Sequence, residues 1–200
     1  MLKVTALSFD YEDIPLLNQV SFTVAPGQLL HVRGKNGVGK TTLLKLLAGL
    51  LQANTGHIFW GEQFIQHGLA AYQQNLCYLG HKPGLSALLT IRENYRCSWY
   101  EQDKIENFDN FLHQFDLIKS ADKPCGQLSL GQRRRASLLR LLMTNAKLWL
   151  LDEPFTSLDK EAIALMMKKI RDHLKEQGMV IMTSHQDLAN THFKIKEYCL

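Results

Sequence analysis

The stretch Gly34-Lys35-Asn36-Gly37-Val38-Gly39-Lys40-Thr41 constrains this chain more than any other. Its spacing is G-x-x-x-x-G-K-[ST], a glycine loop able to curl tightly and turn several backbone N–H groups towards one point. The apolar run Leu29-Leu30-His31-Val32 before it reads as a strand, and Thr42 to Ala48 after it reads as a helix. A loop in that setting adds the macrodipole of the following helix to its own N–H groups, which favours bound phosphate. Lys40 is then placed to reach the β- and γ-phosphates of a nucleotide, and the Thr41 hydroxyl to hold Mg²⁺, with Thr42 beside it in the same turn.

At 200 residues the chain is long enough for one domain with a subdomain inserted. A net charge of +4 is far from the strongly basic surface of a nucleic-acid binder. No apolar run reaches the roughly 18 residues of a membrane span, because Lys45 and Lys168-Lys169 interrupt the best candidates. Met1-Leu2-Lys3-Val4 shows no signal-peptide pattern. Cys77, Cys97, Cys125 and Cys199 form no Cys-x-x-Cys pair and read as reduced thiols in a cytosolic protein.

Residues 2–9 read as a strand, Tyr11-Glu12-Asp13 as a turn and Val20 to Val24 as a second strand. Pro26-Gly27 turns into the strand that feeds the glycine loop, the helix after the loop ends near Gly49, and His57 to Trp60 is a short strand. This opening is a largely antiparallel β layer alongside a strand–loop–helix unit. Asn75 to Leu79 is a strand, helical patterning runs from about Thr90 to Phe115, and Gly131 to Met143 is a further helix. Lys147 to Leu151 and Met179 to Thr183 are buried strands. The helix between them, from about Lys160 to Glu176, carries Ile163, Leu165, Met166, Ile170 and Leu174 mostly on one face, with Gly178 in a helix-stop position. Residues 194–200 are weakly patterned. Strands alternating with helices predict an α/β fold on a parallel sheet, with a helix-rich segment at about 86–143 inserted between two strands.

A second constellation sits downstream. Leu148-Trp149-Leu150-Leu151-Asp152-Glu153 is a buried strand ending in two acids. Such a strand places Asp152 to hold Mg²⁺ through water and Glu153 to orient and polarise an attacking water. Leu128-Ser129-Leu130-Gly131-Gln132 opens the preceding helix, where Ser129 serves as N-cap and, with Gly131, as an anion site. Ser157-Leu158-Asp159 follows the acidic strand, and His185 follows the next one.

In this order the motifs resemble those of the ATP-binding cassette (ABC) ATPases over essentially the whole chain. Leu-Ser-x-Gly-Gln is the specific part, because other phosphate-loop ATPases lack it. The resemblance implies one nucleotide-binding domain over 1–200, a P-loop NTPase of ABC type with an antiparallel β subdomain and a helical subdomain at about 86–143. It implies ATP and Mg²⁺ as cofactors and a homodimer that sandwiches nucleotide. Gly34, Lys35, Asn36, Gly37, Val38, Gly39, Lys40, Thr41 and Thr42 of one copy then face Ser129, Gly131 and Gln132 of the other. Lys40, Glu153 and His185 are the catalytic set, His185 as the switch histidine on the γ-phosphate, and Ser157-Leu158-Asp159 crosses the interface. Tyr11 stands where the family often stacks an aromatic on adenine, and reads nearly as well as an ordinary strand-end tyrosine. Leu130 replaces the usual middle glycine of the signature. His81 stands where the family usually has the glutamine that contacts Mg²⁺ or the attacking water, which puts the coupling of hydrolysis to transport in question. Arg133-Arg134-Arg135 read as a solvated basic face, with contact to anionic lipid or the dimer partner as the alternative.

Gln73-Gln74-Asn75-Leu76, Leu79 to Leu85, Leu148 to Thr156 and Thr183-Ser184-His185-Gln186 resemble the ATP-binding subunit of the haem exporter of bacterial cytochrome c maturation. The short length, ending soon after His185, fits that subfamily. The likeness implies a peripheral subunit on the cytoplasmic face of the inner membrane, paired with integral membrane permease subunits. It powers haem export or release of a haem-loaded chaperone, with no haem ligated by this chain and no nucleic acid bound. A cassette for a lipid, drug or antibiotic shares every motif except the Gly80-His81 loop and its surroundings, and stays open as the alternative. An ABC ATPase acting on ribosomes or DNA usually carries two cassettes or a long coiled-coil insertion. A nucleotide sensor without turnover would not need Lys40, Asp152, Glu153 and His185 together.

Overall fold

The computed structural model describes residues 1–12, 14–97, 106–184 and 195–200. Among these the strands are β1 (Leu2–Tyr11), β2 (Ile14–Val24), β3 (Leu29–Arg33), β4 (Thr55–Trp60), β5 (Gln63–Phe64), β6 (Leu76–Leu79), β7 (Leu148–Asp152), β8 (Met179–Thr183) and β9 (Ile195–Cys199). The helices are α1 (Lys40–Leu47), α2 (Leu69–Gln73), α3 (Ile91–Arg96), α4 (Phe108–Gln114), α5 (Leu130–Leu142) and α6 (Lys160–Lys175). The chain divides into two compact units, the first of Met1–Tyr78, Ala146–Glu153 and Ile170–Leu200, the second of Leu79–Asn145 and Pro154–Lys169.

One sheet has the order β2-β1-β4-β5, with antiparallel pairing throughout. Its β1–β2 pair slips register between Val4 and Leu7 and again after Leu7. At these bulges Ala6 and Gln19 take left-handed φ values of 46° and 48°. Serine hydroxyls replace the lost ladder bonds: Ala6 N–H donates to Ser21 Oγ at 2.8 Å and Gln19 N–H to Ser8 Oγ at 3.0 Å. β2 starts at Ile14, earlier than expected, and includes Pro15. Its edge position explains this, since a proline is tolerated where a backbone donor is not needed. Tyr11 closes β1 rather than opening a turn.

The other sheet has the order β6-β7-β8-β3-β9, and its β7–β8, β8–β3 and β3–β9 pairs are parallel. Every residue of β7 and β8 is buried, as is β3 up to Arg33. Continuous apolar runs of this kind belong to parallel strands covered on both faces. β9 was the weakly patterned segment. It is an edge strand whose Tyr198 packs on Phe22 with ring centroids 5.2 Å apart, and only Ile195 and Tyr198 turn inward enough to leave a pattern. The short α2 also escaped the sequence, because five residues are too few to establish a helical period.

In α6 the buried stripe is Ala162, Met166, Ile170 and Leu174, at strict four-residue spacing, whereas Ile163 and Leu165 flank it half-exposed. The left-handed residue that ends this helix is Gln177, at φ 62°, not Gly178. Gly178 serves a different need: a Cβ there would stand 2.3 Å from His173 Nε2. That imidazole lies flat on Trp149, with centroids 3.9 Å apart and planes within 6°.

Burial holds the His173 imidazole below its ordinary 6.5, outweighing the hydrogen bonds to the Met179 and Lys147 backbone that act the other way. The unfolded chain therefore takes up this proton first. Its contribution to stability is complete above about pH 6.5 and drains as the pH falls through the window below that value. A His173→Phe variant keeps the stack without the titration. Its urea midpoint is expected to fall less between pH 7.5 and 5.5 than that of the wild type; equal slopes would show that the imidazole does not govern this window.

Candidate active site

β3 ends at Arg33 and α1 begins at Lys40, so the glycine loop fills the strand-to-helix gap. Gly39 caps α1 at φ 105°, and a Cβ there would stand 2.8 Å from Leu17 Cδ2. Glycine alone takes that backbone conformation without strain and leaves room for the leucine. Lys35, Asn36, Gly37 and Thr41 are exposed, and Gly34, Val38, Lys40 and Thr42 are half-buried. Lys40 Nζ donates to Gly34 O at 2.8 Å and to Lys35 O at 3.1 Å, so the ammonium lies across the loop's own carbonyls.

The β7 strand delivers Asp152 to the same place. Its carboxylate is buried, and both oxygens accept from threonine hydroxyls: Oδ2 from Thr41 at 2.8 Å and Oδ1 from Thr183 at 2.9 Å. Sheet register brings these distant residues together, since Thr183 pairs with Asp152 on one side and with Val32 on the other. The Thr183 hydroxyl also accepts the Glu153 N–H at 2.9 Å. Glu153 has a φ of 48°, a left-handed value uncommon for a residue with a side chain and of the kind that clusters at functional sites. Tyr78 lies near enough to register this carboxylate: burial first, then the Asp152 charge, push its phenol up to about 12.

Thr183 was not singled out as a site residue. The available signal was a lone hydroxyl closing a buried apolar strand. Thr183→Val removes the donor to Asp152 and the acceptor for Glu153 N–H at constant shape. It is expected to cost about 1–3 kcal/mol in urea unfolding and to lower turnover as well; an unchanged midpoint would mean these bonds contribute nothing net.

Thr41 and Asp152 present hard oxygen donors that already converge on each other, a set suited to Mg²⁺. His185 lies outside the described residues. Tyr11 is 50% exposed at the end of β1 and meets Phe9 edge-on at 5.1 Å.

In the second unit Ser129 caps α5. Its Oγ accepts the Gln132 N–H at 3.1 Å, while Gln132 Oε1 accepts the Ser129 N–H at 3.0 Å, a reciprocal capping box. Gln132 Nε2 donates to Ser120 Oγ at 3.2 Å, so both ends of this amide are occupied, one by the cap and one by Ser120. Leu130 is 69% exposed, and Gly131 lies against the Ser157 carbonyl. His81 is exposed. The reading of the three arginines as a solvated basic face fails at Arg134, which is only 4% exposed. Helical spacing puts it on the stripe of Leu138 and Leu141. Its Nε donates to Pro154 O at 3.2 Å and its Nη1 to Gly80 O at 2.9 Å. Arg135 Nη1 donates to Phe115 O at 3.3 Å. Among the described residues no helix is long and apolar enough to cross a membrane.

A glycine loop at the end of a parallel sheet, joined through its threonine to a strand-end aspartate, defines a nucleotide-binding ATPase of the P-loop class. The chain belongs to the ABC transporter family, whose model matches residues 17–156. It is 46% identical over 200 residues to the cytochrome c biogenesis ATP-binding export protein CcmA of Legionella pneumophila (strain Lens), with 100% of both chains covered. It is 38% identical over 203 residues to the protein of that name from Yersinia pestis bv. Antiqua (strain Nepal516), covering 100% of this chain and 93% of the other. A solved structure described as the dimeric structure of MJ0796, a bacterial ABC transporter cassette, superposes with a TM-score of 0.85 at 21% identity, covering 100% of this chain and 94% of that one. The α/β cassette fold expected from the sequence is therefore borne out.

Proposed function

We propose that this chain is the ATP-hydrolysing subunit of an ABC transporter serving cytochrome c biogenesis, where it powers haem export or release of a haem-loaded chaperone. The observation that carries hydrolysis is the hydrogen-bonded line Thr41–Asp152–Thr183, with the strained Glu153 held at its far end. The loop N–H groups and Lys40 bind the phosphates of ATP. Thr41 and Asp152 would hold Mg²⁺, which when bound would neutralise phosphate charge. Glu153 orients and polarises the attacking water, and Thr183 fixes the backbone from which it reaches. By the family resemblance, His185 is assigned to the γ-phosphate and His81 to the water or the metal. Ser129 and Gly131 of a second copy close over the nucleotide, with Tyr11 on the adenine. The homodimer works as a peripheral assembly on the cytoplasmic face of the inner membrane against integral permease subunits, and the helical subdomain at about 86–143 belongs to this one cassette domain.

The relatives' names support the cytochrome c assignment, and recovery from membranes tests it. The Glu153→Gln chain is pulled from solubilised membranes with ATP and Mg²⁺. Two small multi-spanning proteins with a haem-binding chaperone are the expected partners. A different permease would keep the transporter ATPase and discard haem, and ribosomes or DNA-repair proteins would discard transport.

A further inference from the structure

We propose that Arg134 is a positioning residue for hydrolysis, holding the backbone at Gly80-His81 and at Pro154 in one arrangement from the helix that Ser129 caps. The inference rests on the ATPase reading above. Arg134 is 4% exposed, yet a guanidinium cannot shed its charge. Apolar packing alone would be met better by leucine or methionine on the Leu138–Leu141 stripe, and a buried charge is retained at a cost unless its hydrogen bonds are made. Those bonds run to main-chain carbonyls in two separate segments. Nε donates to Pro154 O at 3.2 Å, and Nη1 donates to Gly80 O at 2.9 Å and reaches His81 O at 3.5 Å.

Both segments adjoin residues assigned to the water in the proposed function: Pro154 follows Glu153 in the chain, and His81 stands in the sequence where the family resemblance implies a side chain for the water or the metal. A rigid planar fork fixes two acceptors relative to each other, whereas a lysine ammonium meets them only as a point charge. The same helix makes a second stitch to the His81 loop, through Arg140 Nη2 to Gly84 O at 3.1 Å. Ser129, the residue assigned to the partner's nucleotide, caps the first turn of this helix, and Arg134 lies in its second. A shift of α5 when nucleotide meets Ser129 is thereby passed to both carbonyls at once.

The test is ATP turnover by the full chain together with the membrane subunits that co-purify with it, comparing wild type, Glu153→Gln, Arg134→Met and Arg134→Lys. Each is assayed at a temperature where circular dichroism shows it fully folded. Arg134→Met is expected to lose about tenfold or more in kcat with the KM for ATP within about threefold of wild type, and Arg134→Lys to recover part of the loss. A purely structural arginine would instead lower the melting temperature and leave kcat intact in the folded variant, which would overturn the proposal. Should Arg134→Met not fold, Arg134→Lys decides: reduced kcat with KM kept upholds the proposal, and wild-type kcat overturns it. Wild-type turnover with normal Arg134 variants sinks this inference alone. Wild type with no turnover dependent on Glu153 sinks the ATPase reading and this inference with it.

Discussion

With Glu153 changed to Gln, the chain is expected to bind ATP as before and to hydrolyse it at least about 100-fold more slowly. The substitution preserves shape and the backbone bond to Thr183, so the left-handed turn after Asp152 should persist. What disappears is the carboxylate proposed to polarise the attacking water, and an amide cannot take up a proton in its place. Nucleotide therefore stays unhydrolysed, and two copies should remain closed over it. Phosphate release in a single turnover measures the chemical step, and gel filtration with ATP and Mg²⁺ measures the dimer. Turnover within a few-fold of wild type would remove Glu153 from the mechanism, and a variant that stays monomeric with ATP would count against the sandwich.

The second large effect is expected at Lys40, where alanine should weaken ATP binding by about 100-fold or more. The ammonium is the only cation bonded within the glycine loop among the described contacts, held by the Gly34 and Lys35 carbonyls at 2.8 and 3.1 Å. Without it the phosphates meet those carbonyls with no positive charge between. Alanine is a good helix former at the head of α1, so folding should be kept. Binding of a fluorescent ATP analogue, with circular dichroism as the folding control, checks both halves. Near-normal affinity would sink the assignment of this loop.

Much of this site was written in short, local signals. The glycine loop is legible because its G-x-x-x-x-G-K-[ST] spacing and the strand–helix context leave few other readings. Asp152 and Glu153 are legible because they end a buried strand downstream of the glycine loop in an α/β pattern; alone, a strand-end acid says little. Thr183 and Arg134 were not legible in this way. Their meaning lies in partners that are 31 and 54 residues away for the longest of these bonds, and that only sheet register or helix packing brings near. Arg134 was further disguised by its neighbours, since three successive arginines look like a solvated face until the helix turns one of them inward. β9 was hidden for the opposite reason: an edge strand with two inward side chains carries too little alternation to announce itself.

The internal contacts of the glycine loop have a consequence for affinity. Lys40 already holds two carbonyls and Thr41 already holds Asp152, so an arriving nucleotide exchanges partners with groups that are in place. Little rotamer freedom remains to be lost when these groups change partners, so ordering them takes little from the affinity for phosphate.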